Sequence, residues 1–318
     1  MALEAAAPSG VAGRAKTTRV VASHVSVPKR VAEIWRSRQL LINMVSTEIR
    51  VKYKNSVLGL VWSLLAPAMA LLVYAIVFGV ALKNGYPEFV ILLFSGLLAW
   101  NLFQTSVLTA TGAVVNNAGL VKKVSFPREI LALASVGSAS VFFFFQACVM
   151  VIFLVALHWR PAFGELWLIP VALVPLLVFC SAMAIFLAAV NVYLRDTQHL
   201  VEVVVGSAWF WACPIVYSFA HIVEPKLSHH HILGIPLIWI YFLNPMVPIV
   251  LTFERVLYAK TGLVPLTTAG HTPTQLLPTW GSMTYVEMDA VVLGVSLLLL
   301  YGAMVVFGRL AGNFAEEL

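Results

Sequence analysis

The chain is 318 residues long, with 61% hydrophobic and 11% charged residues, whereas a soluble domain is about 45–50% apolar and about 25% charged. Together with a mean hydropathy of +0.92, these values predict an integral membrane protein and exclude a soluble enzyme, a disordered chain and a secreted disulfide-bonded scaffold. The three cysteines, Cys148, Cys180 and Cys213, lie in apolar stretches, which is typical of packing residues.

The N-terminal segment carries most of the excess positive charge. Residues 1–56 hold ten of the 20 Lys and Arg residues but only three of the 14 acidic residues. We expect residues 1–27 to form a disordered basic arm against anionic lipid headgroups, and not a nucleic-acid-binding surface. Residues 28–56 predict a cytoplasmic amphipathic helix in the membrane interface, which is either a simple anchor or a docking or gating element. Its apolar stripe consists of Ile34, Leu41, Val45 and Ile49.

Six apolar runs are long enough, or nearly so, to cross a bilayer core of about 30 Å, which needs roughly 20 helical residues. Backbone groups in lipid must pair within the segment, so the runs predict helices rather than strands. Residues 57–318 are therefore expected to form a transmembrane domain, and the fold is expected to be an all-α membrane protein with six spans. The spans are predicted at about 57–82, 89–117, 130–157, 166–193, 200–220 and 288–309.

A seventh apolar run, 232–253, contains Pro236, Pro245 and Pro248, which divide it into pieces too short to span. We expect re-entrant or interfacial helices there, within an outer loop over residues 221–286. With six spans, 15 of the 20 Lys and Arg residues fall on one side. By the positive-inside rule, that side is the cytoplasm, and both termini are expected there.

The sequence lacks residue patterns that are typical of ion pumps, ATPases and metal sites. All 14 acidic residues fall in loops or at predicted span ends, which argues against a proton-driven pump, because such pumps place ionisable groups within the membrane. No G-x-x-x-x-G-K-[ST] phosphate-binding loop is present. The adjacent His229, His230 and His231 favour a solvated polar patch over a weak metal site. We therefore predict no catalytic residue, no metal site and no bound cofactor, and we expect a partner to supply the energy.

Two charged loops lie on the predicted cytoplasmic side. The first contains a short basic segment closed by Phe126-Pro127, and it predicts either a rigid knob or an ordinary positive-inside loop. The second is so short that its charges must lie at the membrane surface. The candidate coupling residues in these loops are Lys122, Lys123, Phe126, Pro127, Arg128, Glu129, Arg195 and Asp196.

A polar stripe runs along the second predicted span, where Asn101, Thr105 and Thr109 follow one another at intervals of four, with Gln104 beside them. Such a stripe indicates a lumen or a helix interface rather than contact with lipid. The aromatic residues of spans one and five either line the same lumen or serve as packing and interfacial-belt residues. The candidate channel-lining residues are Trp62, Tyr74, Phe78, Asn101, Gln104, Thr105, Trp209 and Trp211.

Six short motifs, taken in order, resemble the membrane subunit of bacterial ABC transporters that export polysaccharides, polyol phosphates and teichoic acids, and the resemblance covers roughly residues 35–318. The motifs are Arg50–Trp62 leading into Pro67, Lys122–Glu129, Tyr193–Asp196, Pro214–Tyr217, Asn244-Pro245 and Phe314–Leu318. The resemblance implies a homodimer joined to two ATP-binding subunits, which would hold ATP and Mg²⁺, in the bacterial inner membrane.

The resemblance also implies roles for particular residues. Phe126–Glu129 would be the coupling helix that receives the ATPase stroke, with the amphipathic helix as a second contact. Arg128 and Glu129 would either dock against the ATPase or hold this segment rigid, and Arg195 and Asp196 would shape the adjacent surface. The outer gate would contain Pro214, Tyr217, Asn244 and Pro245.

We therefore predict a permease subunit that exports a lipid-linked polysaccharide, such as a cell-wall galactan or an O-antigen-like glycan on undecaprenyl pyrophosphate. Export of teichoic acid, or of a small lipid or drug, is the alternative within the same fold. A membrane-embedded lipid-modifying enzyme is the alternative of another class, and it is disfavoured because no converging acid, base or metal-ligating residues are visible near a span end.

Overall fold

The computed structural model describes residues 26–52, 54, 56, 59–81, 88–228, 230–232, 234–261, 263–264 and 274–318. The predicted basic arm, residues 1–27, lies outside the described residues apart from its last two positions. His229 and residues 265–273 of the predicted outer loop also lie outside them.

Helices form almost all of the regular structure among the described residues. They are α1 (Val27–Arg36), α2 (Arg38–Lys52), α3 (Trp62–Tyr74), α4 (Phe89–Asn116), α5 (Ala118–Lys123), α6 (Glu129–Ala156), α7 (Leu168–Tyr193), α8 (Thr197–Val203), α9 (Trp209–Trp211), α10 (Glu224–Ser228), α11 (Leu237–Phe242), α12 (Met246–Leu257), α13 (Ser282–Leu310) and α14 (Phe314–Glu317). Short 3₁₀ segments cover Gly59–Val61, Phe163–Glu165 and Ala311–Asn313, and π-helical segments cover Ala75–Ala81, Val204–Ala208 and Phe219–Val223. Two antiparallel pairs of two-residue strands join β1 (His231–Ile232) to β2 (Ile235–Pro236) and β3 (Leu263–Val264) to β4 (Thr274–Gln275).

Four helices, α4, α6, α7 and α13, are long and apolar enough to cross a membrane. They coincide with the predicted spans 89–117, 130–157, 166–193 and 288–309, although α13 begins earlier than expected, at Ser282. The prediction of a helical, multi-pass membrane protein is confirmed at this level.

The core is built around α4, which is buried along most of its length and packs against α6, α7 and α12. Large side chains such as Trp100 and Phe103 fill its centre, while Ala99 and Ala110 allow neighbouring backbones to approach. Lipid tails are as apolar as these side chains, so close van der Waals packing, and not transfer out of lipid, holds such helices together. The polar side chains of α4 that are not buried therefore lie outside this packed core and form a separate surface.

The predicted first and fifth spans are less regular. The chain is helical without a break over residues 59–81, but Pro67 interrupts the hydrogen-bond ladder of α3 and the segment ends as a π-helix. Where a fifth span was predicted over 200–220, the structure has a helix over 197–211 that stops at Trp211. Turns and bends follow over 212–217, and Pro214 has no N–H with which the helix could continue. At 1.5 Å per residue this helix is about 22 Å long, which is shorter than the bilayer core.

The four long helices bring like-charged loops to the same end of the bundle. The hydroxyl of Tyr193 donates to the carbonyl of Leu310 at 2.9 Å, and Asn191 Nδ2 donates to the carbonyl of Thr111 at 2.9 Å. We call this the basic end, because it carries the Lys122–Arg128 loop and Arg309. At the opposite end, the indole of Trp159 donates to the carbonyl of Tyr258 at 3.1 Å.

The amphipathic helix predicted over 28–56 is two helices, α1 and α2, separated at Ser37. All four stripe residues, Ile34, Leu41, Val45 and Ile49, are partly buried, as their spacing predicted. Helix α2 lies on α6 at a notch formed by Gly137, where an added Cβ atom would lie 2.7 Å from Cγ2 of Val45. The segment is thus packed on the helical bundle along one face.

The predicted break at Asn244-Pro245 separates α11 from α12. Helix α11 exposes Trp239 and Ile240, whereas α12 is buried against α4 and α7 over nearly its whole length. The run 232–253 is therefore divided at Pro236 and Pro245, as predicted, whereas Pro248 lies within the first turn of α12 and does not divide it.

Candidate functional site: a polar face and cavity at the basic end

The polar stripe of α4 lies between α6 and the 197–211 helix. Asn101 Nδ2 donates to Oε1 of Gln146 on α6 at 3.1 Å. On the other side, Gln104 Nε2 lies 3.9 Å from the position that a Cβ atom would occupy at Gly206. Asn101, Gln104 and Thr105 are half-buried, so the stripe forms an uncharged polar face that is partly open.

This face leads at the basic end into an open cavity of about 540 Å³ between α2, α4, α6 and α8. The cavity combines hydroxyls and amides with one carboxylate, one ammonium group and one aromatic ring. Its lining consists of Glu48, Val51, Lys52, Thr105, Leu108, Thr109, Gly112, Ala113, Asn116, Asn117, Ser135, Ser138, Phe142 and Gln198. Of the predicted channel residues, Thr105 lines it.

The two charges of the cavity come from α2. Glu48 accepts hydrogen bonds from Ser138 at 2.6 Å and from Ser135 at 3.3 Å. The Lys52 ammonium lies 3.8 Å from the ring centroid of Phe142. Desolvation of the ammonium group lowers the pKa of Lys52, although the side chain as a whole is exposed.

The predicted channel aromatics are not gathered at one place. Trp62 and Trp211 are 46% and 61% exposed. The ring centroids of Tyr74 and Phe78 are 6.4 Å apart, and those of Phe78 and Phe89 of α4 are 5.0 Å apart. Both side chains are partly buried against the hydrophobic core, as packing residues are.

Trp209 also packs against the core. Its ring centroid lies 5.1 Å from that of Phe103 and 6.1 Å from that of Phe179. Its indole nitrogen donates to Oδ1 of Asn244 at 2.9 Å, which joins a predicted channel residue to a predicted gate residue.

The candidate coupling residues divide into a packed group, which includes Arg128 and Glu129, and an exposed group. Glu129 is 3% exposed and forms an ion pair with Arg30 of α1. Arg128 donates to the carbonyl of Ala311, and its guanidinium lies 5.7 Å from the ring centroid of Phe314. Burial lowers the pKa of Arg128, and the adjacent Glu129 carboxylate partly offsets this effect. These contacts attach the segment to α1 and to the 311–314 segment.

Lys122 and Lys123, by contrast, are exposed at the end of α5. Arg195 and Asp196 are exposed in the turn between α7 and α8. A second cavity, of about 460 Å³, lies between α1 and the Lys122–Arg128 loop, and its lining includes Arg36, Phe126 and Pro127. The basic end thus has exposed basic side chains beside the packed Arg128 and Glu129.

The structure brings the predicted gate residues together. Asn244 Oδ1 accepts from the Met246 amide at 3.1 Å, and Asn244 Nδ2 donates to the carbonyl of Ala212 at 3.3 Å. The Tyr217 hydroxyl lies 3.3 Å from that of Tyr241 and donates to the carbonyl of Trp211 at 2.9 Å. Pro214 is buried and Pro245 is half-buried in the same region.

Sequence reasoning missed a set of buried polar groups at the opposite end. Glu254 and Asp289 are each 1% exposed, although every acidic residue was expected in a loop or at a span end. Asp289 lies within α13 and accepts from Thr252 of α12 at 3.0 Å. Glu254 lies in α12, where every residue except Arg255 is buried, so the spacing of apolar residues gave no signal for it.

One ion pair fastens α12 at the same end. Arg255 donates to Glu165 Oε1 at 2.7 Å, and the Ser282 hydroxyl donates to the same oxygen at 3.1 Å. Within the described ranges, no group of three or more His, Cys, Asp or Glu side chains is placed to hold a metal ion.

Comparison with known proteins identifies related chains. The sequence profile of the ABC-2 type transporter family matches residues 39–256. The O-antigen export system permease protein RfbA of Myxococcus xanthus is 31% identical over 228 residues, which cover 72% of this chain and 84% of that protein. Two proteins of the same name from Klebsiella pneumoniae are 26% identical over 216 and 215 residues, each covering 68% of this chain and 79% and 78% of their own lengths.

Proposed function

Because this chain belongs to the ABC-2 type transporter family, we propose that it is the membrane permease of an ATP-driven exporter for an O-antigen-like, lipid-linked polysaccharide. The relatives named as O-antigen export permeases support this substrate class. The observation that carries the proposal is the polar face of α4, which ends in the open cavity of the basic end.

The chemistry of this face suits a glycan. A sugar chain presents hydroxyl groups that need hydrogen-bond partners, and it presents C–H faces that pack on aromatic rings. Amides and hydroxyls such as those of Asn101, Gln104 and Thr105 supply partners without a strong fixed charge that would trap the chain. The lipid carrier can meanwhile remain in the bilayer.

The six-span arrangement is part of the proposal. The helical segments 59–81 and 197–211 would serve as spans one and five on either side of the polar face. Both expose apolar side chains, including Leu72 and Ile76 on the first and Leu200 and Val203 on the second. A second copy of the chain would cover these surfaces, so that two polar faces enclose one channel in a homodimer.

The outer region would control the exit of this channel. Helices α11 and α12 would form a re-entrant pair, and the cluster of Pro214, Tyr217, Asn244 and Pro245 would join that pair to the end of span five. Among these residues Asn244 makes the contacts that link the two segments.

The basic end would face the cytoplasm of the bacterial inner membrane, with both termini on that side and the N-terminal arm on anionic lipids. Cysteines introduced at Lys16 and Ser228 should then react with a membrane-impermeant reagent from opposite sides. Labelling of both positions from outside would contradict this orientation.

The energy would come from two ATP-binding subunits that hold ATP and Mg²⁺, while this chain would bind no cofactor. Lys122, Lys123, Arg195 and Asp196 are exposed at the basic end and would contact those subunits. Phe126, Pro127, Arg128 and Glu129 would transmit the stroke through the contacts that fix them to α1 and to the 311–314 segment.

Depletion of the protein in its host tests the function. The expected result is an accumulation of lipid-linked polysaccharide on the cytoplasmic side and its loss from the cell surface, both reversed by the wild-type gene. Normal surface polysaccharide after depletion would contradict the proposal.

A further inference from the structure

The cavity at the basic end combines charges of both signs with neutral polar groups. Glu48 and Lys52 are four residues apart on α2, so their side chains project on the same side of the helix. They contribute one negative and one positive charge, and the remaining polar lining is uncharged. A phosphate group would meet a carboxylate there as well as an ammonium group, so the charge balance favours a neutral ligand.

The cavity lining has both hydrogen-bond acceptors and a donor that a ligand could use. Gln198 Nε2 donates to Glu202 Oε1 at 3.0 Å, whereas Gln198 Oε1 is buried and has no hydrogen-bond partner among the described residues. Each Glu48 oxygen accepts one serine hydroxyl and retains a further lone pair. Lys52 makes no ion pair within the described ranges. The cavity therefore offers acceptors at Gln198 and Glu48 and a donor at Lys52.

We propose that this cavity is a sugar-binding subsite that takes an uncharged hexose unit of the transported glycan. A hexose hydroxyl is both a donor and an acceptor, so neighbouring hydroxyls can donate to Gln198 and Glu48 while another accepts from Lys52. Thr105 and Thr109 place the subsite at the inner end of the polar stripe of α4, where the glycan would enter the channel. The inference rests on the proposed function and adds the chemical class recognised at the entrance.

Site-specific crosslinking in the complex with its ATP-binding subunits tests the subsite. A photoreactive amino acid replaces the exposed Thr109 of the cavity or, as the control, Phe144 of α6, which is 61% exposed and outside the cavity lining. The probes are undecaprenyl diphosphate carrying a tritium-labelled disaccharide and the same lipid without sugar. Position 109 should crosslink to the sugar at least fivefold more than position 144.

Substitutions in the cavity give the second readout. Gln198→Leu, Lys52→Met and Glu48→Gln should each reduce sugar crosslinking at position 109 and raise the KM for the disaccharide lipid about threefold or more. Lys54→Met and Glu33→Gln are matched controls, because both residues are exposed and neither lines this cavity. Glu48→Gln separates the ligand classes, since removal of a carboxylate would strengthen the binding of a phosphate.

The outcomes separate the subsite from the export function. If position 109 crosslinks equally to both lipids, or if Glu48→Gln strengthens binding, the cavity is a headgroup site and the inference is wrong. If all three cavity variants transport the disaccharide lipid with wild-type KM, the subsite is wrong while export stands. If the complex with the photoreactive amino acid at position 109 crosslinks sugar but the wild-type complex moves no lipid-linked glycan, the subsite stands and the export proposal fails.

Discussion

The indole nitrogen of Trp209 donates a hydrogen bond of 2.9 Å to Oδ1 of Asn244, 35 residues further along the chain. The same oxygen accepts from the Met246 amide, and the Asn244 amide group donates to the carbonyl of Ala212 and to Sγ of Cys213. One side chain thus joins the end of the 197–211 helix to the start of α12. This contact would make the two segments move together at the proposed exit.

Replacement of this asparagine should loosen that junction. Asn244→Ala removes several hydrogen bonds and leaves the Trp209 donor unpaired, which should lower the free energy of unfolding by about 2 kcal/mol. Asn244→Asp, which keeps the acceptor, should lose less. Thermal unfolding of the purified protein measures both, with the 81% exposed Leu243→Ala as the control. Equal melting of Asn244→Ala and wild type would contradict the role.

The ion pair between Arg30 and Glu129 should stabilise the fold more than a surface pair does. Glu129 is nearly inaccessible, so Glu129→Ala leaves Arg30 without its partner and should cost about 3–5 kcal/mol. The exposed Glu33 of α1 provides the control Glu33→Ala. A double-mutant cycle with Arg30→Met measures the coupling directly, and strictly additive losses would show that the pair does not act as a unit.

Lys122 and Lys123 should affect ATPase coupling without affecting stability. Both are exposed, and substitutions at such surface positions usually change stability by no more than about 0.5 kcal/mol. The double variant Lys122→Ala/Lys123→Ala should therefore melt like wild type but bind the ATP-binding subunits more weakly. Arg309→Ala, at the same end and also exposed, should leave that affinity unchanged. Equal affinities for all three proteins would remove these lysines from the contact surface.

Packing and lumen aromatics should respond differently to truncation. Phe78 lies on Phe89 and is half-buried, so Phe78→Ala should cost about 2 kcal/mol, somewhat less than a fully buried ring. Trp211 is mostly exposed, so Trp211→Ala should leave unfolding unchanged and lower the transport rate. Melting temperature and transport rate are measured on the same samples. If Phe78→Ala instead lowers only transport and Trp211→Ala lowers only stability, the roles of the two rings are exchanged.

The sequence predicted the elements whose signal is local. Long apolar runs located α4, α6, α7 and α13, and the stripe from Ile34 to Ile49 located the packed face of α1 and α2. The prolines located the break at Pro245. The helix end before Pro214 was missed, because the fifth span was predicted to reach residue 220 and the helix ends at Trp211.

Contacts between distant segments could not be predicted in the same way. The Arg30 pairing of Glu129 joins residues 99 positions apart, and no periodicity records it. The cavity needs α2, α4, α6 and α8 together, so Thr105 was predicted as a channel residue while Glu48, Lys52 and Gln198 were not. Burial of Asp289 depends on Thr252 of another helix, and a scan for charges at span ends does not detect it.

Reconstitution tests the central claim most directly. The chain and its ATP-binding partner are placed in proteoliposomes, and movement of a tritium-labelled, undecaprenyl diphosphate-linked glycan to the opposite leaflet is followed with an impermeant glycan-modifying enzyme. The account predicts movement that requires ATP and stops when the partner's ATP hydrolysis is abolished by mutation. Movement at the same rate with the inactive partner, or none with the active one, would contradict it.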